Sequence, residues 1–161
     1  MKKIIHTHKI FIYFSITVLW SFFIFSFSFQ DADTSSSLSS GFGQWIIETF
    51  FPFMGNYLEK MTTEQIEFLH HILRKCGHFT EFFILGIFSM QTFAQTEIRG
   101  RYLWAEVMCM AVASTDETIQ LFSDGRSGQI SDVLLDSIGA AVGIFVMYLL
   151  RRLVLKQRGK A

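Results

Sequence analysis

Three stretches of this chain place ionisable side chains at helical spacing inside, or at the ends of, hydrophobic runs. In Arg74-Lys75-Cys76-Gly77-His78-Phe79-Thr80-Glu81, residues Arg74, His78 and Glu81 are spaced i, i+4, i+7 and line one helical stripe. In Ser114-Thr115-Asp116-Glu117-Thr118-Ile119-Gln120, Asp116 and Gln120 are four apart, as are Asp132 and Asp136 in Ser131-Asp132-Val133-Leu134-Leu135-Asp136. An ionisable group in hydrocarbon is expensive and is a functional-site candidate by default. Glu81, Asp116, Glu117, Asp132 and Asp136 sum to −5 when ionised, against +3 from Arg74, Lys75 and Arg126, and His78 can add one more positive charge. In a poorly solvated site such an excess is relieved by a retained proton or a bound cation. The chemistry this suits is general acid–base catalysis, proton coupling or cation binding. His78, Glu81, Asp116 and Glu117 are the candidate catalytic residues. Arg74, Lys75, Gln120, Arg126 and Asp132 are the candidates for holding a ligand, the arginines as clamps on phosphate or carboxylate.

The elements that carry these residues follow from the hydropathy. The chain has 161 residues, half of them hydrophobic, which is enough for one domain covering 1–161. The apolar residues come in long runs near 10–29, 76–94, 102–122 and 130–150 rather than with the periodicity of a soluble helix or strand. A membrane helix needs about 20 residues to cross a hydrocarbon core of about 30 Å. The expected fold is therefore all-α, an integral membrane bundle of four transmembrane helices. The first run carries no charge; the other three carry the polar stretches, and the third also holds Glu106 near its inner end. The first run exceeds the apolar core of a signal peptide, and Ser26-x-Ser28 is a poor cleavage site, so it reads as an uncleaved span.

The net charge is zero, yet ten of the 14 Lys and Arg residues fall in 1–9, 95–101 and 151–161. These segments share one side if the chain crosses four times, and basic residues accumulate on the cytoplasmic side. Both termini are expected to face the cytoplasm, with 30–75 and 123–129 outside. The basic tail beside a span reads as an orientation and anionic-lipid feature rather than a nucleic-acid patch. Inside the first outer loop, Phe42, Trp45, Ile46, Ile47, Phe50 and Phe51 form an aromatic-rich segment too short to span, expected to be interfacial or re-entrant and to end near Pro52. Thr62 and Gln65 form a capping box that starts a helix at about Thr63, running through His70 and His71 into the second span.

Counting inward places the polar residues in layers. Glu81, Asp116 and Asp136 each lie six residues from the expected outer end of their span, roughly 9 Å deep at ~1.5 Å per residue. Arg74, Lys75, His78, Gln120, Arg126 and Asp132 form a shallower layer. Gly139 and Gly143 continue the Asp132–Asp136 stripe inward, so this face is expected to pack closely on another span. A single polar residue between spans is more often structural, and Glu117 alone reads as facing headgroups. The set, gathered from three spans at one side and depth, favours function.

Metal binding is not expected: His70 and His71 point ~100° apart on a helix, and only His78 lies nearby. Cys76 and Cys109 lie at different depths, which excludes a disulfide, and both are expected to be packing residues. No Ser/His/Asp order names a reaction, and no cofactor is identifiable.

These motifs, in this order, resemble the VanZ-like family of small bacterial membrane proteins. Ser26-Phe27-Ser28-Phe29-Gln30, followed by Ser35-Ser36 and Leu38-Ser39, resembles that family's end of the first span. The stretch from Arg74 to Phe82 resembles its Arg-Lys-x-x-His-x-x-Glu-(Tyr/Phe) element, and Asp116-Glu117-x-x-Gln120, then Arg126-Ser127 and Asp132, resembles its Asp-Glu-x-x-Gln…Arg…Asp element. Asp124 stands where the family pattern has proline, and Asp136 where Asn is common, so the resemblance carries no role to Asp136. It implies a place at the bacterial cell envelope and, through the founding member's association with teicoplanin, a contribution to glycopeptide resistance. Three functions fit: an enzyme acting on an envelope lipid or amphiphile, a protein that binds or shields an amphiphile such as a lipoglycopeptide, or a small ion-coupled transporter. The last would usually show inverted repeats, which this sequence lacks.

Overall fold

The computed structural model describes residues 2–30, 41, 49, 61–124, 126 and 128–158. Phe42, Trp45, Ile46, Ile47, Phe50 and Phe51 of the aromatic segment and the serines at 35–40 lie outside them. Among the described residues there are four helices and no strand: α1 (Lys2–Ser28), α2 (Thr63–Ala94), α3 (Arg101–Gln120) and α4 (Ile130–Arg158).

Local sequence chemistry sets the helix ends. At α2 the Thr62 hydroxyl accepts from Gln65 N while the Gln65 side chain accepts from Thr62 N, closing the capping box that satisfies two otherwise orphaned amides. Glu64 adds negative charge in the first turn, where the helix dipole favours it. Gly100 occupies the left-handed region at φ 74° just before α3, a conformation that glycine adopts without a Cβ penalty. The expected third segment is two residues too long, because Phe122 N bonds to Ile119 O in a tightened last turn after α3 stops at Gln120. In contrast, α2 and α4 extend beyond the apolar runs, to 32 and 29 residues, since the helix continues where the side chains become polar.

Helix α2 touches each of the other three and packs most extensively on α4. That contact depends on small residues. A Cβ at Gly139 would lie 2.7 Å from the Phe79 carbonyl oxygen, and Gly86 and Gly143 likewise leave no room for one against Ala140 and Phe83. The pairs Phe79–Gly139 and Phe83–Gly143 show that α2 and α4 run parallel. Ser89 Oγ donates to Ala105 O at 3.1 Å, and His78 lies beside Asp116, so α3 runs against α2. The contacts Thr17–Thr92 and Trp20–Glu81 set α1 against α2 as well.

The interior is built in tiers. Ile24, Phe82, Leu85, Cys109, Ala113 and Ala140 form one fully buried cluster, flanked by Trp20, Val112 and Val133. Met90, Ala105 and Ile144 form a second, nearer the basic end. Polar bonds stitch the helices between them: Thr17 Oγ1 meets Thr92 Oγ1 at 2.9 Å, and Trp20 Nε1 donates to Glu81 O at 2.9 Å.

Both cysteines are free. Cys109 is buried as expected, but Cys76 is exposed. The reason is angular: two residues beyond Arg74, it points about 200° away from the stripe that turns inward.

Candidate functional site

The polar stripes of α2, α3 and α4 meet at one end of the bundle. The structure brings Arg74, Lys75, His78, Gln120, Arg126 and Asp132 around one partly open cavity of about 50 Å³, which Gln129 and Leu135 also line. At ~10–15 Å³ per water position, that is room for a few waters or one small polar group. Lys75 donates to Asp132 in an ion pair between α2 and α4. Arg74 approaches His71 Nδ1 at 3.5 Å. Arg126 enters from the loop after α3, and its Nε and Nη1 are buried with no hydrogen-bond partner. Burial, and then the nearby charge of Arg74, pull this guanidinium below its usual pKa. It keeps its proton nonetheless, as arginines in proteins do.

Behind this mouth sits a buried acidic floor. Asp116 is inaccessible to solvent. Ser28 Oγ donates to its Oδ1 at 2.6 Å and Gln120 Nε2 donates to its Oδ2 at 3.0 Å. Glu117 is buried too, rather than facing headgroups. Its Oε1 accepts from Gln120 Nε2 at 3.1 Å and its Oε2 from the Gln129 amide at 2.8 Å, which ties the loop back onto α3. Gln120 therefore serves both carboxylates with one amide nitrogen. Glu81 Oε2 stands 4.0 Å from His78 Nδ1. Asp136 is fully buried, and neither of its carboxylate oxygens has a hydrogen-bond partner.

The layering differs from the residue count in one respect. A ring nitrogen of His78, an oxygen of Asp116 and an oxygen of Asp136 all lie within 4.8 Å of one another, so His78 joins the deep group as well as lining the cavity. Counting along each helix from its own end fixes no offset between the helices, so it could not show that His78, counted three residues nearer the outer end, reaches the other two.

Spacing offered no metal set because these three residues come from three helices. Sequence reasoning also gave no role to Ser28, although it stands in the Ser-Phe-Ser-Phe-Gln stretch at the end of α1, and it had no signal for the Gln129 amide. Chemically, the arrangement is a cationic rim over buried carboxylates, with one histidine bridging the two.

Comparison with curated proteins found no match, and comparison with solved structures found none either. Among protein families, residues 11–151 match VanZ/LLP1. That match takes in α2 and α3 whole, most of α1 and α4, and every residue of the rim and floor, so the chain belongs to the VanZ/LLP1 family.

Proposed function

We propose that this chain is a single four-span domain in the bacterial plasma membrane, and that its polar site faces outward and binds the anionic headgroup of an envelope lipid or amphiphile. The observation that carries the ligand class is the buried Arg126 edge, Nε and Nη1, left without a partner beside Arg74 and Lys75 around one cavity. A buried donor without an acceptor is costly, and a guanidinium presents a planar fork that matches phosphate or carboxylate.

The membrane placement draws on four features. Family membership is the first. Second, α1 over His8–Ser28 and α4 over Ile130–Gln157 are long and apolar enough to cross a membrane. Among the polar side chains that lower the hydropathy of α2 and α3, His78, Glu81, Asp116, Glu117 and Gln120 belong to the site. Third, burial is inverted: Asp116 and Asp136 are inaccessible, while Leu19, Phe22, Leu103 and Phe145 are each more than half exposed. Water would reverse that preference. Fourth, neighbouring helices alternate in direction, which supports four crossings and cytoplasmic termini beside the basic segments.

Catalysis on the bound amphiphile is the second reading. It is favoured by His78 and Glu81 lying next to the rim with Nδ1 and Oε2 4.0 Å apart, a gap that proton transfer would have to close. The test compares wild type with Arg126→Ala, Glu81→Gln and Asp116→Asn after confirming insertion. It reads teicoplanin susceptibility, lipid-extract composition, and binding of the purified protein to vesicles of phosphatidylglycerol against phosphatidylcholine. Binding predicts a preference for the anionic vesicles that Arg126→Ala abolishes while lipid composition is unchanged. Catalysis predicts a lipid species that both carboxylate variants lose. If all three variants match wild type in every readout, the cluster is structural and the proposal fails.

A further inference from the structure

Asp136 is a fully buried carboxylate without any hydrogen-bond partner on either oxygen. Burying an ionised group without a compensating partner is far costlier than leaving out one neutral hydrogen bond. The protein's own cations do not provide that partner. Lys75 is held by Asp132, and Arg126 leaves Nε and Nη1 unpaired rather than reaching Asp136. What Asp136 does face is a ring nitrogen of His78 and an oxygen of Asp116, with all three atoms within 4.8 Å of one another.

From this geometry we propose that His78, Asp116 and Asp136 hold one divalent transition-metal cation of the zinc or manganese kind. One imidazole and two carboxylates form a nitrogen–oxygen donor set that suits these ions. All-oxygen cages suit calcium and magnesium, and thiolates suit softer metals. Cys76 is exposed and Cys109 lies in the apolar cluster, so neither supplies sulfur. Metal bonds of ~2.0–2.2 Å put the donors of one ion roughly 3.3–3.6 Å apart, so three atoms within 4.8 Å of one another need to close by up to about 0.8 Å each. Two carboxylates balance the charge of a divalent ion.

The surroundings are those of a supported site. Ser28 and Gln120 each donate to one oxygen of Asp116 and fix its orientation, and the oxygen that binds the ion would use its second lone pair. Glu81 Oε2 lies 4.0 Å from His78 Nδ1, too far for a hydrogen bond, and would have to draw closer to orient a metal-bound imidazole. Three protein donors leave a fourth position for water or a ligand atom, as in catalytic rather than structural zinc sites. His78 lines the cavity as well, so that position lies next to the rim. The inference does not rest on the headgroup reading, because it is judged by metal binding alone.

The test uses the full chain in detergent without a histidine tag. A His70→Ala/His71→Ala background removes the adjacent pair on α2. After chelator stripping, Zn²⁺ and Mn²⁺ are titrated separately by equilibrium dialysis with elemental analysis. The expected result is one equivalent of metal per chain, with binding weakened at least tenfold by Asp136→Asn or His78→Ala and retained in Glu106→Gln. No stoichiometric binding of either ion overturns the site and leaves a proton shared by Asp116 and Asp136. Undiminished binding in Asp136→Asn overturns it too. Should those variants fail to fold, wild type in the same background still decides. Support is an EDTA-reversible rise in unfolding temperature with a nitrogen–oxygen shell containing one imidazole by X-ray absorption. No such rise, a shell containing sulfur, or two imidazoles refutes the assignment.

Discussion

Ser28, the last residue of α1, donates a 2.6 Å hydrogen bond to Asp116 Oδ1 on α3, joining positions 88 apart in the chain. Both side chains are buried, so water cannot replace either partner. Ser28→Ala should destabilise the protein by about 1–2 kcal/mol, the range for a buried bond to an acid tempered by the smaller values seen within membranes. Ser26→Ala should be close to neutral, because its exposed hydroxyl bonds only to Phe23 O of its own helix. Unfolding midpoints in detergent compare the two; equal midpoints would show that the α1–α3 bond contributes nothing.

Glu117 accepts the Gln129 amide at 2.8 Å and so anchors the loop that delivers Arg126. Glu117→Ala should raise amide exchange in the peptide covering 123–130 by about tenfold, as expected when ~1.4 kcal/mol of local protection is lost. Exchange in the middle of α3 should not change. Hydrogen–deuterium exchange with mass spectrometry reads both, and an unchanged loop would mean that other contacts hold it.

Gly139 lets α4 approach the backbone of α2 at Phe79. Gly139→Ala should cost about 1–3 kcal/mol through overpacking. Gly77→Ala meets no atom within 4 Å and should be neutral or slightly stabilising, since alanine is the better helix former by about 1 kcal/mol. Thermal unfolding should therefore fall for Gly139→Ala and stay level or rise for Gly77→Ala. A Gly139→Ala protein as stable as wild type would show that the α2–α4 contact relaxes without penalty.

Orientation is open to labelling. In a Cys76→Ser/Cys109→Ala background, single cysteines replacing Glu64 and Asp124 should react with a membrane-impermeant maleimide added to intact cells. One replacing Lys156 should react only after permeabilisation. The reverse pattern would invert the topology and put the rim on the cytoplasmic side.

Much of this architecture is written locally. The Thr62–Gln65 box marks the start of α2, and the long uncharged run after Ile10 marks the first helix. The i, i+4 pairs at Arg74–His78, Asp116–Gln120 and Asp132–Asp136 mark which face of each helix turns inward. Such features depend on hydrogen bonds and side-chain directions within a few residues, which spacing alone specifies. The exposure of Cys76, expected to be a packing residue, follows from the same angular rule.

Partnership between helices was not. That Ser28 serves Asp116, that Gln129 N–H serves Glu117, and that His78 meets Asp116 and Asp136 all depend on how the helices lean, which way they run, and how closely their backbones approach at Gly86, Gly139 and Gly143. Sequence by itself determined the helices, their polar stripes and the end of the bundle at which charge collects. Tertiary structure decided which side chains converge there, because a contact across helices is set by crossing geometry and packing rather than by any repeat along one chain segment.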